Sequence, residues 1–126
     1  MNTTLAIDEQ LRLLAAVPML SGVHQDSLVR LARASRFVLV PKGEYLFQQH
    51  DPADALHILR SGELAIILSS IDGREMIIDE IHPGDCFGEV ALLASGERTA
   101  GAQAREKSEV LEIRARPFLD VLDSDH

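Results

Sequence analysis

A mainly β fold with flanking helices is predicted by three features of the sequence. Apolar residues recur at helical spacing only before Phe37 and after Arg114. Between these positions lie short runs of β-formers, punctuated by turn residues at intervals of roughly ten, as in an all-β barrel or sandwich. One short helical piece, Glu89 to Leu93, interrupts the strands. At 126 residues, 46% of them hydrophobic and 25% charged, the chain has the size and composition of one compact domain.

The first helix is read from Leu5, Leu11, Leu14 and Ala15, and it must stop before Pro18, which has no N–H to donate. After the Ser21-Gly22 turn, Leu28, Val29, Leu31 and Ala32 form a second amphipathic stretch, with Asp26 favouring its positive amino-terminal end. Strands are expected at Phe37–Val40, Tyr45–Phe47, Leu56–Leu59, Leu64–Leu68 and Met76–Ile78. Pro41-Lys42-Gly43, Asp51-Pro52, Ser61-Gly62, Asp72-Gly73 and Pro83-Gly84 mark turns, and Asp72-Gly73 between two apolar runs is the clearest hairpin signal. Beyond Gly84 come Cys86-Phe87-Gly88, the helical piece, a stop at Ser95-Gly96, and strands at Thr99–Ala104 and Val110–Ile113. Pro117 suits the first turn of a last helix through Phe118, Leu119 and Leu122, which has room for about two turns before His126, so the domain reads as cut off there.

Composition narrows the function. A formal net charge of −8 offers no counterion release toward a phosphate backbone, so direct nucleic-acid contact by this segment is not expected. A single cysteine, Cys86, forms no internal disulfide and suits a reducing cytoplasm, where it serves as a small apolar filler. Histidines 24, 50, 57, 82 and 126 lie singly, without metal-ligand spacing, and no catalytic triad order or activated cysteine is present. The chain is therefore not expected to be an enzyme, and a metal-dependent cupin lacks its ligands. Neither a signal peptide nor a membrane span is evident, because Pro18 interrupts the longest apolar run, Leu13 to Leu20. Arg105, Lys107, Arg114 and Arg116 alternate with Glu106, Glu109 and Glu112, as on a solvated strand face.

The densest chemistry lies in Gly84-Asp85-Cys86-Phe87-Gly88-Glu89-Val90-Ala91-Leu92-Leu93 and Gly96-Glu97-Arg98-Thr99-Ala100. Gly88 has no Cβ to keep a ligand from the backbone, and the turn beginning at Glu89 offers unpaired amides to an anion. Arg98 supplies a fixed, forked cation and Thr99 a hydroxyl. Glu89 would repel phosphate unless it has another task, such as accepting hydrogen bonds from a ribose. A glutamate for sugar beside an arginine and helix amides for phosphate describes a compact sugar-phosphate, and a cyclic nucleotide fits. Taken singly, Gly88 would mark a tight turn, Arg98 a surface partner of Glu97 or Glu89, and Thr99 an ordinary strand residue. Phe37, Phe47, Ile58, Phe87, Ile66 and Leu92 are read as core.

These residues resemble the cyclic nucleotide-binding domain family, found in Crp/Fnr regulators, kinase regulatory subunits and cyclic nucleotide-gated channels. Phe87 to Leu93 with Arg98-Thr99-Ala100 is similar to that family's phosphate-binding cassette. Gly43 to Phe47, Leu56 to Gly62 and Asp72 to Glu75 resemble its strands and turns. The resemblance implies an eight-stranded β-roll, a jelly-roll-like double-stranded β-helix, with N-terminal helices, a short cassette helix and a truncated C-terminal helix. It implies a single domain over 1–126, with helices in 1–36, the roll in 37–114, the cassette in 84–100 and the last helix beginning in 115–126. It places Glu89 on the ribose 2′-hydroxyl, Arg98 and Thr99 on the cyclic phosphate, and the Gly88 and Ala91 amides close by. Phe87, Val90 and Ala100 complete the expected ligand-binding set.

One departure is His50, where the family usually has a turn glycine in Gln-Gly-Asp; histidine tolerates positive φ better than most residues, so a reshaped turn is expected. The leading expectation is a cytoplasmic sensor that binds cyclic AMP, with cyclic GMP as the other candidate. It needs no cofactor and signals to an output element outside this segment, most naturally that of a bacterial Crp/Fnr-type transcription regulator. The alternative is a degenerate fold that binds no nucleotide and serves for interaction or dimerisation. A homodimer is an option, and the segment itself is expected to touch neither nucleic acid nor membrane.

Overall fold

The computed structural model describes residues 3–94 and 96–124, so Ser95 and His126 of the expected elements, and the side chain of Leu5, lie outside the described residues. Helix α1 spans Thr3–Ala15, a 3-10 turn spans Pro18–Leu20, and α2 spans Gln25–Ala34. Six strands follow: β1 Arg36–Val40, β2 Tyr45–Phe47, β3 Ala55–Ser69, β4 Glu75–Ile81, β5 Cys86–Phe87 and, after helix α3 at Glu89–Leu93, β6 Gly101–Arg114. Helix α4 spans Ala115–Ser124, close to three turns where about two were expected.

The seven strand segments read from the sequence, with the short β5 added, thus form six continuous strands, because two pairs of segments have no break between them. Ser61-Gly62 is a bend inside β3 rather than a turn, with register shifts against β6 on either side of Ser61 and Glu63. Gly62 has φ +95°, and a Cβ there would meet Ser108 Oγ at 2.3 Å, so the bend requires glycine. Ser108 Oγ in turn accepts from the Glu63 amide at 3.0 Å and lies 2.8 Å from the Glu106 carbonyl, satisfying the groups the bulge releases. β3 and β6 therefore bend together and stay paired. Thr99 and Ala100 fall outside β6, which begins at Gly101.

The antiparallel sheet runs β1-β6-β3-β4, with β2 added to β6 and β5 added to β3, so the shorter strands wrap the long bent pair into a roll. The Asp72-Gly73 hairpin forms as expected, with Gly73 at φ +86° and the Ser70 amide donating to the Arg74 carbonyl at 2.8 Å.

Strand alternation divides the core in two. Leu56, Ile58, Leu111 and Ile113 face the helices and pack with Leu14, Leu20, Leu28, Leu31, Phe118 and Val121. Leu59, Leu64, Val110, Val40, Ile81 and Phe87 fill the inside of the roll. Every residue of β3 from Ala55 to Leu59 is buried, and by the same alternation His57 shares the inner face with Ala55 and Leu59. Among the described residues, no helix is long and apolar enough to cross a membrane.

Candidate functional site

The cassette starts where β5 pairs with the buried half of β3, His57 opposite Phe87 and Ile58 opposite Cys86. Gly88 then turns the chain at φ +89° and ψ −5° and caps α3. A Cβ on Gly88 would stand 2.7 Å from Arg98 Nη1, so glycine is needed for the approach of the guanidinium as well as for the turn. The first-turn amides of α3 have no intrahelical acceptor.

Arg98 reaches the same place from behind. A short antiparallel contact holds its backbone: the His50 amide donates to the Arg98 carbonyl at 2.7 Å, and the Arg98 amide donates to the Asp51 carbonyl at 2.8 Å. Pro52 bridges to Glu97 beside them. His50 has φ +77°, the positive value expected of a residue in a glycine position, and its Nδ1 lies 2.8 Å from Glu97 Oε1. The departure from the usual glycine thus leaves the turn intact and adds a side-chain tie to the segment that carries Arg98.

The Arg98 side chain is only 3% exposed. Nη1 donates to the Gly88 carbonyl at 2.9 Å, Nη2 donates to the Ala55 carbonyl, and Cζ lies 4.1 Å from the centre of the Phe47 ring. Nε has no hydrogen-bond partner, and among the described residues no carboxylate lies within ion-pair distance of the guanidinium. Burial pulls its pKa below the ordinary value while Asp54, Asp51 and Glu112 pull it back, yet a guanidinium stays charged. The bland expectation of an exposed partner for Glu97 or Glu89 therefore fails.

Glu89 presents the complementary irregularity, a buried Oε2 with no hydrogen-bond partner. Glu89 and Arg98 line one pocket of about 250 Å³, just below the roughly 300–1,000 Å³ usual for small ligands. All eight expected site residues, Phe87, Gly88, Glu89, Val90, Ala91, Arg98, Thr99 and Ala100, line it. The sequence reading missed Phe47, Ile66, Asp79, Ile81 and Cys86, which complete the wall. For Phe47 and Ile66 the core assignment was incomplete, since a strand side chain facing the inside of a roll also faces whatever the roll encloses. Burial, then Glu89, pushes the Cys86 thiol up to about 12, in keeping with a filler rather than a reactive thiol.

A larger cavity of about 620 Å³ lies between Tyr45, Gln49, His50, Ser69 and Glu75. No lysine or arginine lines it, so it offers a phosphate no fixed charge. Among the described residues, no group of three or more His, Cys, Asp or Glu is placed to hold a metal ion.

The wrapped sheet is a β-roll with this pocket set against its strands β2, β3, β4 and β5. A family model for the cyclic nucleotide-binding domain matches residues 37–125, and the chain belongs to that family. It is 34% identical over 84 residues to the cyclic AMP receptor protein of Thermus thermophilus, covering 67% of this chain and 39% of that protein. It is 33% identical over 109 residues to the cAMP-dependent protein kinase regulatory subunit of Emericella nidulans, covering 86% of this chain and 26% of the subunit. The chain therefore spans well under half of these relatives. The sensor domain of the transcriptional regulator DNR from Pseudomonas aeruginosa superimposes with a TM-score of 0.87 at 25% identity, over 94% of this chain and 80% of that one.

Proposed function

We propose that the 250 Å³ pocket binds cyclic AMP and that the domain signals this state allosterically to an output element, as in a bacterial Crp/Fnr-type transcription regulator. One observation carries the reading: Arg98, a buried cation without an ion-paired carboxylate among the described residues, and Glu89, with a buried carboxylate oxygen that has no donor, line one pocket. Buried charges are normally paired, and each unsatisfied group costs about 1–3 kcal/mol, more when charged. A ligand with one anionic group and one hydroxyl repairs both at once. In this reading the cyclic phosphate takes the free Nε–H of Arg98, the Thr99 hydroxyl and the Gly88 and Ala91 amides. Glu89 accepts from the ribose 2′-hydroxyl, with Phe87, Val90 and Ala100 lining the pocket around them.

Similarity to a protein named cyclic AMP receptor supports cyclic AMP over cyclic GMP. Val90 and Leu93 stand exposed on α3 beside the pocket, an apolar surface through which a change in the cassette reaches a neighbouring element. Calorimetric titration with cyclic AMP, cyclic GMP and 2′-deoxy cyclic AMP tests the assignment. Cyclic AMP is expected to bind most tightly, and loss of one charge-assisted hydrogen bond should weaken the deoxy analogue about tenfold or more. Equal binding of the ribose and deoxyribose forms would remove Glu89 from its role, and preference for cyclic GMP would overturn the base assignment.

A further inference from the structure

We propose that His57 is a positioning residue for the phosphate end of the pocket and takes up a proton when the anionic phosphate of a cyclic nucleotide binds at Arg98. The proposal rests on the functional reading above and extends it to a group outside the cassette.

His57 is as buried as Arg98, at 3% exposure. Its position follows from register: it stands opposite Phe87 of β5 on one side and opposite Glu112 of β6 on the other. The imidazole stacks on Phe87 at 5.5 Å and 26°, and lies 5.8 Å from the centre of the Phe47 ring. Phe47 is the ring that carries the Arg98 guanidinium on its face. Ala55, two residues earlier on the same strand, accepts from Arg98 Nη2. His57 therefore supports both the first residue of the cassette and the ring beneath its cation.

The charges around it are arranged to oppose one another. Nε2 lies 3.3 Å from Glu112 Oε2, so its N–H donates there, while Glu112 also accepts from Arg36 of β1 at 2.9 Å. Nδ1 is buried and has no partner. His57 and Arg98 line a common chamber of about 240 Å³ together with Asp51, Asp54 and Glu112. Burial, most of all, lowers the imidazole pKa; Glu112 raises it, Arg98 lowers it and Asp54 raises it. The positive charge of Arg98 thus helps keep His57 neutral, and an anion seated on Arg98 cancels that influence. Glu112 and Asp54 are then opposed by burial alone, and the balance moves toward the protonated ring: a proton from solvent adds to Nδ1, the N–H on Nε2 stays with Glu112, and the new cation faces Asp51 and Asp54 across the chamber. By linkage, the nucleotide binds more tightly as pH falls through the window below about 6.5.

The test is titration of cyclic AMP into the wild-type chain and His57→Gln between pH 5 and 7, in buffers of different ionisation enthalpy. The dependence of the observed heat on the buffer counts protons. A fraction of a proton taken up per nucleotide by wild type and none by His57→Gln is expected; the nucleotide's own titration is common to both. Nitrogen NMR of His57 in the wild type, with and without cyclic AMP, reads the same event without a substitution, and its titration midpoint should move up on binding. Binding with equal proton counts in both proteins and an unmoved midpoint would overturn this proposal alone. No binding of cyclic AMP by the wild type would overturn the functional reading and this proposal with it.

Discussion

The two faces of strand β3 show a division of labour between neighbouring residues. Leu56 and Ile58 point to the helices and pack within a cluster of apolar side chains. Ala55 and His57 point the other way, toward Arg98, Glu112 and Phe87, where a guanidinium nitrogen, an imidazole nitrogen and a nearby carboxylate oxygen lack partners. The first face is finished by folding. In the proposed function the second is completed by a ligand.

The contrast can be broken first on the apolar side. Leu56, fully buried, should cost about 2–5 kcal/mol when replaced by alanine, read as a lower urea midpoint at unchanged slope. On the pocket side, Gly88→Ala forces a left-handed residue and a 2.7 Å contact with Arg98 Nη1. The backbone penalty is about 1–2 kcal/mol of stability, while displacement of the guanidinium should lower cyclic AMP affinity at least tenfold, measured by titration of the folded variant.

The smallest effect sharpens the comparison through pH. The Glu112 carboxyl is held down from its ordinary 4.5 to about 2, first by the hydrogen bond from His57, against burial, and then by Arg36. A depressed carboxylate contributes stability that is fully present above the unfolded value and is lost as pH falls through the folded one. Stability should therefore decline between about pH 4.5 and 2 in the wild type, and Glu112→Gln should flatten that decline in acid-denaturation curves.

The apolar face was legible in the sequence because alternation and helical period are local patterns. Leu28 to Ala32, the Asp72-Gly73 hairpin and the cassette helix at Glu89–Leu93 all lie where they were expected. Gly62 misled because a glycine that bends a strand and one that ends it look alike until the partner strand is known. Chemistry was legible where it was contiguous: the eight cassette residues converge because few residues separate them. Glu112 was read as part of a solvated face, and the structure instead seats it against His57 and Arg36, because charge alternation along one strand says nothing of the strand beside it. Leu56-His57-Ile58 did carry a signal, since a histidine between two helix-facing residues must point into the roll. Phe47 carried none, because core and pocket wall demand the same side chain.

The most direct measurement is calorimetric titration of cyclic AMP into Arg98→Met beside the wild type, with unfolding curves for both. Methionine keeps most of the side-chain volume and removes the charge together with the hydrogen bonds to the Gly88 and Ala55 carbonyls. Unfolding free energy should fall by about 1–3 kcal/mol, leaving a folded protein, while affinity falls about 100-fold or more through lost charge-assisted contacts. Unchanged affinity in a folded Arg98→Met protein would contradict the claim that this buried cation is held for a phosphate.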